Sequence, residues 1–131
     1  PGGCKAVEKA DWPVLAGRRV TGWPDTDSKR DKRTDELRPY LEQPGMIAML
    51  RIAEILAAHG VEMKIAPIDR PGIEVDGWDA ADAESEGWNA DTVMRFIGAS
   101  VTAEALREAE KHATPDPAPC SANPTRARQA Q

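Results

Sequence analysis

Apolar positions crowd most densely between residues 46 and 59. There Met46, Ile47, Met49, Leu50, Ile52, Ala53, Ile55, Leu56 and Ala57 leave only a narrow polar stripe around Arg51 and Glu54. Such a pattern predicts a helix packed over most of its circumference, opened by Pro44-Gly45 and stopped by Gly60. Val61-Glu62-Met63-Lys64-Ile65 then alternates with period two, the mark of a strand with one buried face. Upstream, residues 18–23 form an extended run that Gly22 weakens and Pro24 ends. Strand, helix and strand in that order make a βαβ unit, which predicts parallel strands and a right-handed crossover.

The rest of the pattern is more broken. A short helix is expected over residues 5–10, followed by a turn at Asp11-Trp12-Pro13. Residues 25–43 are highly charged and show no apolar period until Leu37, Tyr40 and Leu41, so they read as an insertion loop with room for one helical turn. Residues 69–77, with Pro71-Gly72, form a loop. A helical turn runs from Trp78-Asp79 to Glu86 and stops at Gly87. Asn89 caps a further helix with Val93, Phe96 and Ile97 on one face, and Thr102 caps a last helix over residues 103–112. Beyond it Pro115, Pro117, Pro119 and Pro124 punctuate a tail with no apolar period, which predicts disorder over residues 114–131. The expectation is one α/β domain over residues 1–100, with a parallel sheet and flanking helices, then a C-terminal helix.

Composition narrows the class. The chain of 131 residues is 40% hydrophobic and 30% charged, enough to bury one core. Its apolar runs fall short of the roughly 18 residues that membrane spanning requires. Cys4 and Cys120 lie at opposite ends, and His59 and His112 are also far apart, so disulfide, CxxC and histidine-metal frameworks are excluded. A reducing cytoplasmic interior is the default compartment. The net charge of −5 is unevenly spread. Residues 69–91 hold eight acids against one base, whereas residues 18–38 hold seven bases against five acids. A local basic field can therefore meet an anionic partner despite the acidic total.

Chemistry concentrates at two places. Ligands of open α/β sheets bind beyond the carboxyl ends of parallel strands, and Asp25-Thr26-Asp27 sits there, just past the first strand. Two carboxylates two residues apart can converge on a hard cation such as Mg²⁺; an acidic, solvated turn with Asp25 as a cap has the same pattern. The second place is Asp76-Gly77-Trp78-Asp79-Ala80-Ala81-Asp82. If helical, it sets Asp79 and Asp82 on one face, as accessory metal or outer-shell groups or as the polar side of a capped helix. Lys29, Arg30, Lys32 and Arg33 follow the acidic pair and are candidates to hold phosphates of a nucleic-acid strand. The four tryptophans read as core or strand-edge residues, not as a base-stacking platform. Motifs for a P-loop, a nucleophile elbow and a dinucleotide fold are absent. A haloacid-dehalogenase-type phosphatase would need Thr or Val at the position of Lys29.

Taken in order, Pro1-Gly2-Gly3, Asp11-Trp12, Leu15-Ala16-Gly17-Arg18 and Val20 to Trp23-Pro24-Asp25-Thr26-Asp27 resemble the Toprim-type region of phage and prophage primase–helicase proteins. Virulence-associated E and plasmid or phage primase proteins are similar. Gln43-Pro44-Gly45, the apolar helix, Pro71-Gly72, and the segment from Asp76 to Asp82 ahead of Glu86-Gly87-Trp88 extend the resemblance over residues 1–98.

The resemblance implies a Toprim-like, Rossmann-like parallel sheet that binds Mg²⁺ or Mn²⁺ for nucleotidyl transfer in primer synthesis. Asp25 and Asp27 would hold the metals, and Asp79 and Asp82 would be weaker accessory ligands. Nucleotides, a single-stranded DNA template and primer, and a replicative helicase domain or subunit are the implied partners. Two departures stand out. Toprim domains also use a glutamate on an earlier strand, which would lie before Pro1. Their glycine follows the acidic pair closely, whereas here Gly45 follows a charged insertion. These departures predict an incomplete domain, inactive alone. The alternatives are a non-catalytic module that binds nucleic acid or a replication protein, and a degenerate fragment.

Overall fold

Three short strands pair in one sheet in the order β1 (Val20–Gly22), β2 (Met63–Ile65) and β3 (Val101–Thr102). The structure, a computed structural model, describes residues 3–68 and 75–113. The Pro71-Gly72 loop, the first two residues and the proline-rich tail lie outside the described residues. Helix α1 (Pro44–Ala58) joins β1 to β2, which are parallel with Val20 opposite Met63 and Gly22 opposite Ile65. The expected strand–helix–strand unit is present.

A wholly parallel sheet is not. β3 runs antiparallel to β2, with Lys64 opposite Thr102 and Ile65 opposite Val101. Two helices, α2 (Ala80–Ser85) and α3 (Ala90–Gly98), intervene before β3, so the single-crossover rule that makes β1 and β2 parallel does not govern it. β3 leads directly into α4 (Ala103–Ala113), and the Thr102 hydroxyl accepts from the Ala105 N–H as the expected cap. The helix expected near the N-terminus is a 3₁₀ helix, Gly3–Lys9, and a second 3₁₀ turn follows at Trp12–Leu15.

The core lies between α1 and the sheet. Leu56 and Ile65 are fully buried, and Met46, Val61 and Met63 nearly so. Gly22 is required here for closeness rather than for an unusual backbone angle. A Cβ on it would overlap Met63 Cε and lie 2.7 Å from Met49 Sδ, so its absence lets α1 settle on β1. Among the described residues no helix is long and apolar enough to cross a membrane.

A second core layer is aromatic. Trp23 beyond β1, Trp78 before α2, Trp88 between α2 and α3, and Phe96 in α3 gather into one cluster. Ring centroids lie 4.6 Å apart for Trp23–Phe96, 5.2 Å for Trp88–Phe96 and 5.4 Å for Trp78–Trp88. The rings are tilted or edge-on, as aromatic quadrupoles favour. Trp78 is 4% exposed and its indole N–H donates to Glu86 Oε1.

The charged insertion is a hairpin. Arg30 and Leu37 pair across it, Arg38 N–H donates to Lys29 O, and Asp31 N–H donates to Glu36 O. At its tip the Asp31 carboxylate accepts from the Arg33 and Thr34 N–H groups, which holds its pKa below the ordinary value. Asp35 takes the left-handed backbone (φ 58°) that closes the turn and that aspartate tolerates. Buried Gln43 ties the neck: its amide donates to Lys29 O and Arg38 O and accepts from Lys29 N–H. Gln43→Ala would leave these backbone groups without their partner. It is expected to cost about 1–3 kcal/mol and to speed tryptic cleavage at Lys32 and Arg33, read by denaturant unfolding and timed proteolysis.

Candidate functional site

β1 delivers its acidic pair to the carboxyl end of the sheet because Pro24, fully buried, ends the ladder there. The three residues that follow are then pinned from two sides. On one side Thr26 bridges Trp78: Thr26 N–H donates to Trp78 O at 2.8 Å, and Gly77 N–H donates back to Thr26 O. On the other side the Asp27 carboxylate accepts from the Gly45 N–H at 2.6 Å, at the first turn of α1. A helix N-terminus leaves its N–H groups without intrahelical partners, so α1 orients the Asp27 side chain.

Gly45 makes that contact possible. A Cβ there would stand 2.9 Å from Asp27 Oδ2 and 3.0 Å from the Asp25 carbonyl oxygen. The intervening insertion does not separate them in space, because its two ends meet at the Gln43 neck. The glycine that follows the acidic pair late in sequence is thus beside it in the fold.

Asp25 has no hydrogen-bond donor among the described residues. Its pKa is raised above the ordinary carboxylate value, first by partial burial of the carboxyl and then by the charges of Asp79, Asp27 and Asp82. The four acids expected to matter therefore share one field, but they do not share one role. Asp79 is the N-cap of α2: its Oδ1 accepts from the Ala81 and Asp82 N–H groups, and Asp82 Oδ2 accepts from the Asp79 N–H in return. That reciprocal capping box uses one oxygen of each side chain. Among the described residues no group of three or more His, Cys, Asp or Glu is arranged to hold a metal ion. By donor chemistry Asp25 and Asp27 could contribute to holding a hard cation, which takes carboxylate oxygens; neither has an ion-pair partner among the described residues.

Asp76, which sequence reasoning placed only within the second acidic segment, ties the two acidic loops together. It accepts from Ser28 N–H at 2.8 Å and pairs with Lys29 Nζ at 3.1 Å. These bonds lower its pKa, the Ser28 N–H most and Lys29 next. Its contribution to stability is therefore present above the ordinary carboxylate value and lost as pH falls through the lowered one.

The four basic candidates separate likewise. Lys29 is engaged by Asp76, and Arg30 donates to the Asp35 carbonyl oxygen within the hairpin. Lys32 and Arg33 are exposed at the tip, with no ion pair among the described residues.

A cavity of about 440 Å³ opens between the acidic pair and the hairpin. It is lined by Asp25, Thr26, Asp27 and Ser28 after β1, by Arg30, Leu37, Arg38 and Tyr40 of the insertion, and by Gln43, Met46 and Ile68. Thr26 is 8% exposed and its hydroxyl has no partner among the described residues. Sequence reasoning named Gly45 as the glycine that follows the acidic pair but without its contact to Asp27, and it missed Gln43 and Asp76 as site-shaping residues. Comparison of the chain with family models, with curated proteins and with solved structures gives no match.

Proposed function

We propose that this chain is a Toprim-like domain of a phage-type primase, in which Asp25 and Asp27 hold Mg²⁺ or Mn²⁺ for nucleotidyl transfer. The observation that carries this reading is the acidic pair at the carboxyl end of β1, with Asp27 held on the α1 N-terminus and Asp25 left in an uncompensated negative field. The residue order that resembles such primases supports it. A bound divalent cation would supply charge neutralisation at a nucleotide triphosphate. The chain's own residues do the positioning. α1 fixes Asp27, the Thr26–Trp78 bridge fixes the backbone between the two acids, and Asp79 and Asp82 add negative potential from the α2 cap.

The test is Mn²⁺ titration of the wild type against Asp25→Asn and Asp27→Asn. Losing a ligand should weaken binding by more than the roughly 10–100-fold that loss of an outer-shell partner costs. Indistinguishable curves would sink the metal site. Folding gives an independent sign. The raised Asp25 pKa means that proton uptake favours the native state; this stabilisation is complete below the ordinary carboxylate value and lost as pH climbs through the raised one. Asp25→Asn should accordingly raise the melting temperature of the metal-free protein at neutral pH while lowering its metal affinity.

A second reading has its own observation, the exposed Lys32 and Arg33 at the hairpin tip. In it the domain is a non-catalytic module that holds a single-stranded nucleic-acid backbone. A salt-dependent gel shift that is indifferent to the Asp25 and Asp27 substitutions would favour this reading.

A further inference from the structure

The cavity beside the acidic pair has a chemistry that metal binding alone does not use. Its volume of about 440 Å³ falls in the range of small-molecule sites, which combine apolar walls with a few placed polar groups. Its lining is divided in that manner. Leu37, Tyr40, Met46 and Ile68 are its apolar members, Arg30 and Arg38 bring positive charge from the insertion, and the acidic pair brings negative charge. The hairpin contributes both the cations and part of the apolar lining.

We infer that the insertion hairpin forms the nucleotide pocket: a nucleoside triphosphate places its base and sugar against Leu37, Tyr40, Met46 and Ile68, and its phosphates between Arg30, Arg38 and the cation end of the cavity. This rests on the metal-site reading above and adds the element that receives the nucleoside. Phosphates next to Asp25 and Asp27 alone would be repelled, so binding requires the divalent cation there and the two guanidinium groups. Guanidinium is suited to this, since its planar fork pairs with two phosphate oxygens.

The experiment is isothermal titration calorimetry of the full chain in Ca²⁺ with two probes, ATP and inorganic tripolyphosphate, alongside Mn²⁺ titration of the same samples. ATP should bind at least about tenfold tighter than tripolyphosphate, about 1.4 kcal/mol by the usual conversion. Arg38→Ala should weaken both probes by a similar factor. Leu37→Asn, at a position 58% exposed and so without core packing to lose, should weaken ATP alone and narrow the gap. Equal affinities for the two probes, or an unchanged gap in Leu37→Asn, would overturn the pocket. Mn²⁺ binding through Asp25 and Asp27 with no preference for ATP would overturn the pocket and leave the metal site standing. An ATP preference without Mn²⁺ binding would sink the metal site and, with it, the cation-dependent pose inferred here. A single-stranded oligonucleotide that binds in the same cavity and excludes ATP would assign it to a polymer instead, against the inference.

Discussion

Trp78→Ala is expected to cost about 3–5 kcal/mol, the range for deleting a buried aromatic side chain, out of the 5–15 kcal/mol that holds a typical domain together. The ring is 4% exposed and contacts Trp23, Trp88 and Phe96, so its loss opens the aromatic layer from the centre. The consequence reaches the site through the backbone, because the Trp78 carbonyl oxygen accepts the Thr26 N–H between the two acids. Trp78→Phe separates the two effects. It keeps an apolar ring, loses the bond from the indole to Glu86, and should cost about 1 kcal/mol for that bond, plus a smaller packing loss. Urea unfolding followed by far-ultraviolet circular dichroism reads both. A Trp78→Ala variant within 1 kcal/mol of wild type would show that the layer tolerates a cavity and does not brace the acidic loop.

Gly45→Val is the second large effect, and it separates affinity from stability. Glycine inside a helix is disfavoured by roughly 0.5–1 kcal/mol relative to alanine, so a glycine at the second position of α1 needs a compensating reason. The close approach of Asp27 and the Asp25 carbonyl supplies one. A branched side chain there must displace the Asp27 carboxylate from the helix N-terminus. The expected cost is about 1–3 kcal/mol for overpacking, and metal affinity should fall by the roughly 10–100-fold typical of losing an outer-shell partner. Gly98→Ala is the control. It also lies in a helix, but a Cβ there meets nothing within 4 Å, so Mn²⁺ affinity should be unchanged. If Gly45→Val binds Mn²⁺ as tightly as wild type, the α1 N-terminus does not position Asp27.

The parts legible in the sequence were those with local causes. The α1 pattern, the alternation over residues 61–65, the Asn89 and Thr102 caps and the end of the first strand before Pro24 all depend on near neighbours; the structure has them, with β2 confined to Met63–Ile65. β3 escaped notice because two residues cannot display a period. Asp79 and Asp82 show how one spacing serves two purposes: three residues apart is one helix face and also a capping box. The structure shows the capping box, whose backbone N–H donors are built into the same turn. The partnership of Asp27 with Gly45 was hidden for the opposite reason. It depends on closure of a hairpin whose turn is made by Asp31 and Asp35. Lys29 likewise read as a free cation until Asp76, distant in sequence, was placed against it.

The Gln43 neck divides the molecule into two independently variable parts. Everything that holds the acidic pair, namely β1, the Trp78 bridge and the first turn of α1, lies on the scaffold side of the clamp. What lies beyond it from Arg30 to Leu37 is an arm whose turn is closed by its own residues. A lineage could lengthen, shorten or rewrite that arm, altering which molecules are admitted, without disturbing the carboxylates that would act on them. Selectivity and chemistry would then evolve on separate clocks within one small domain.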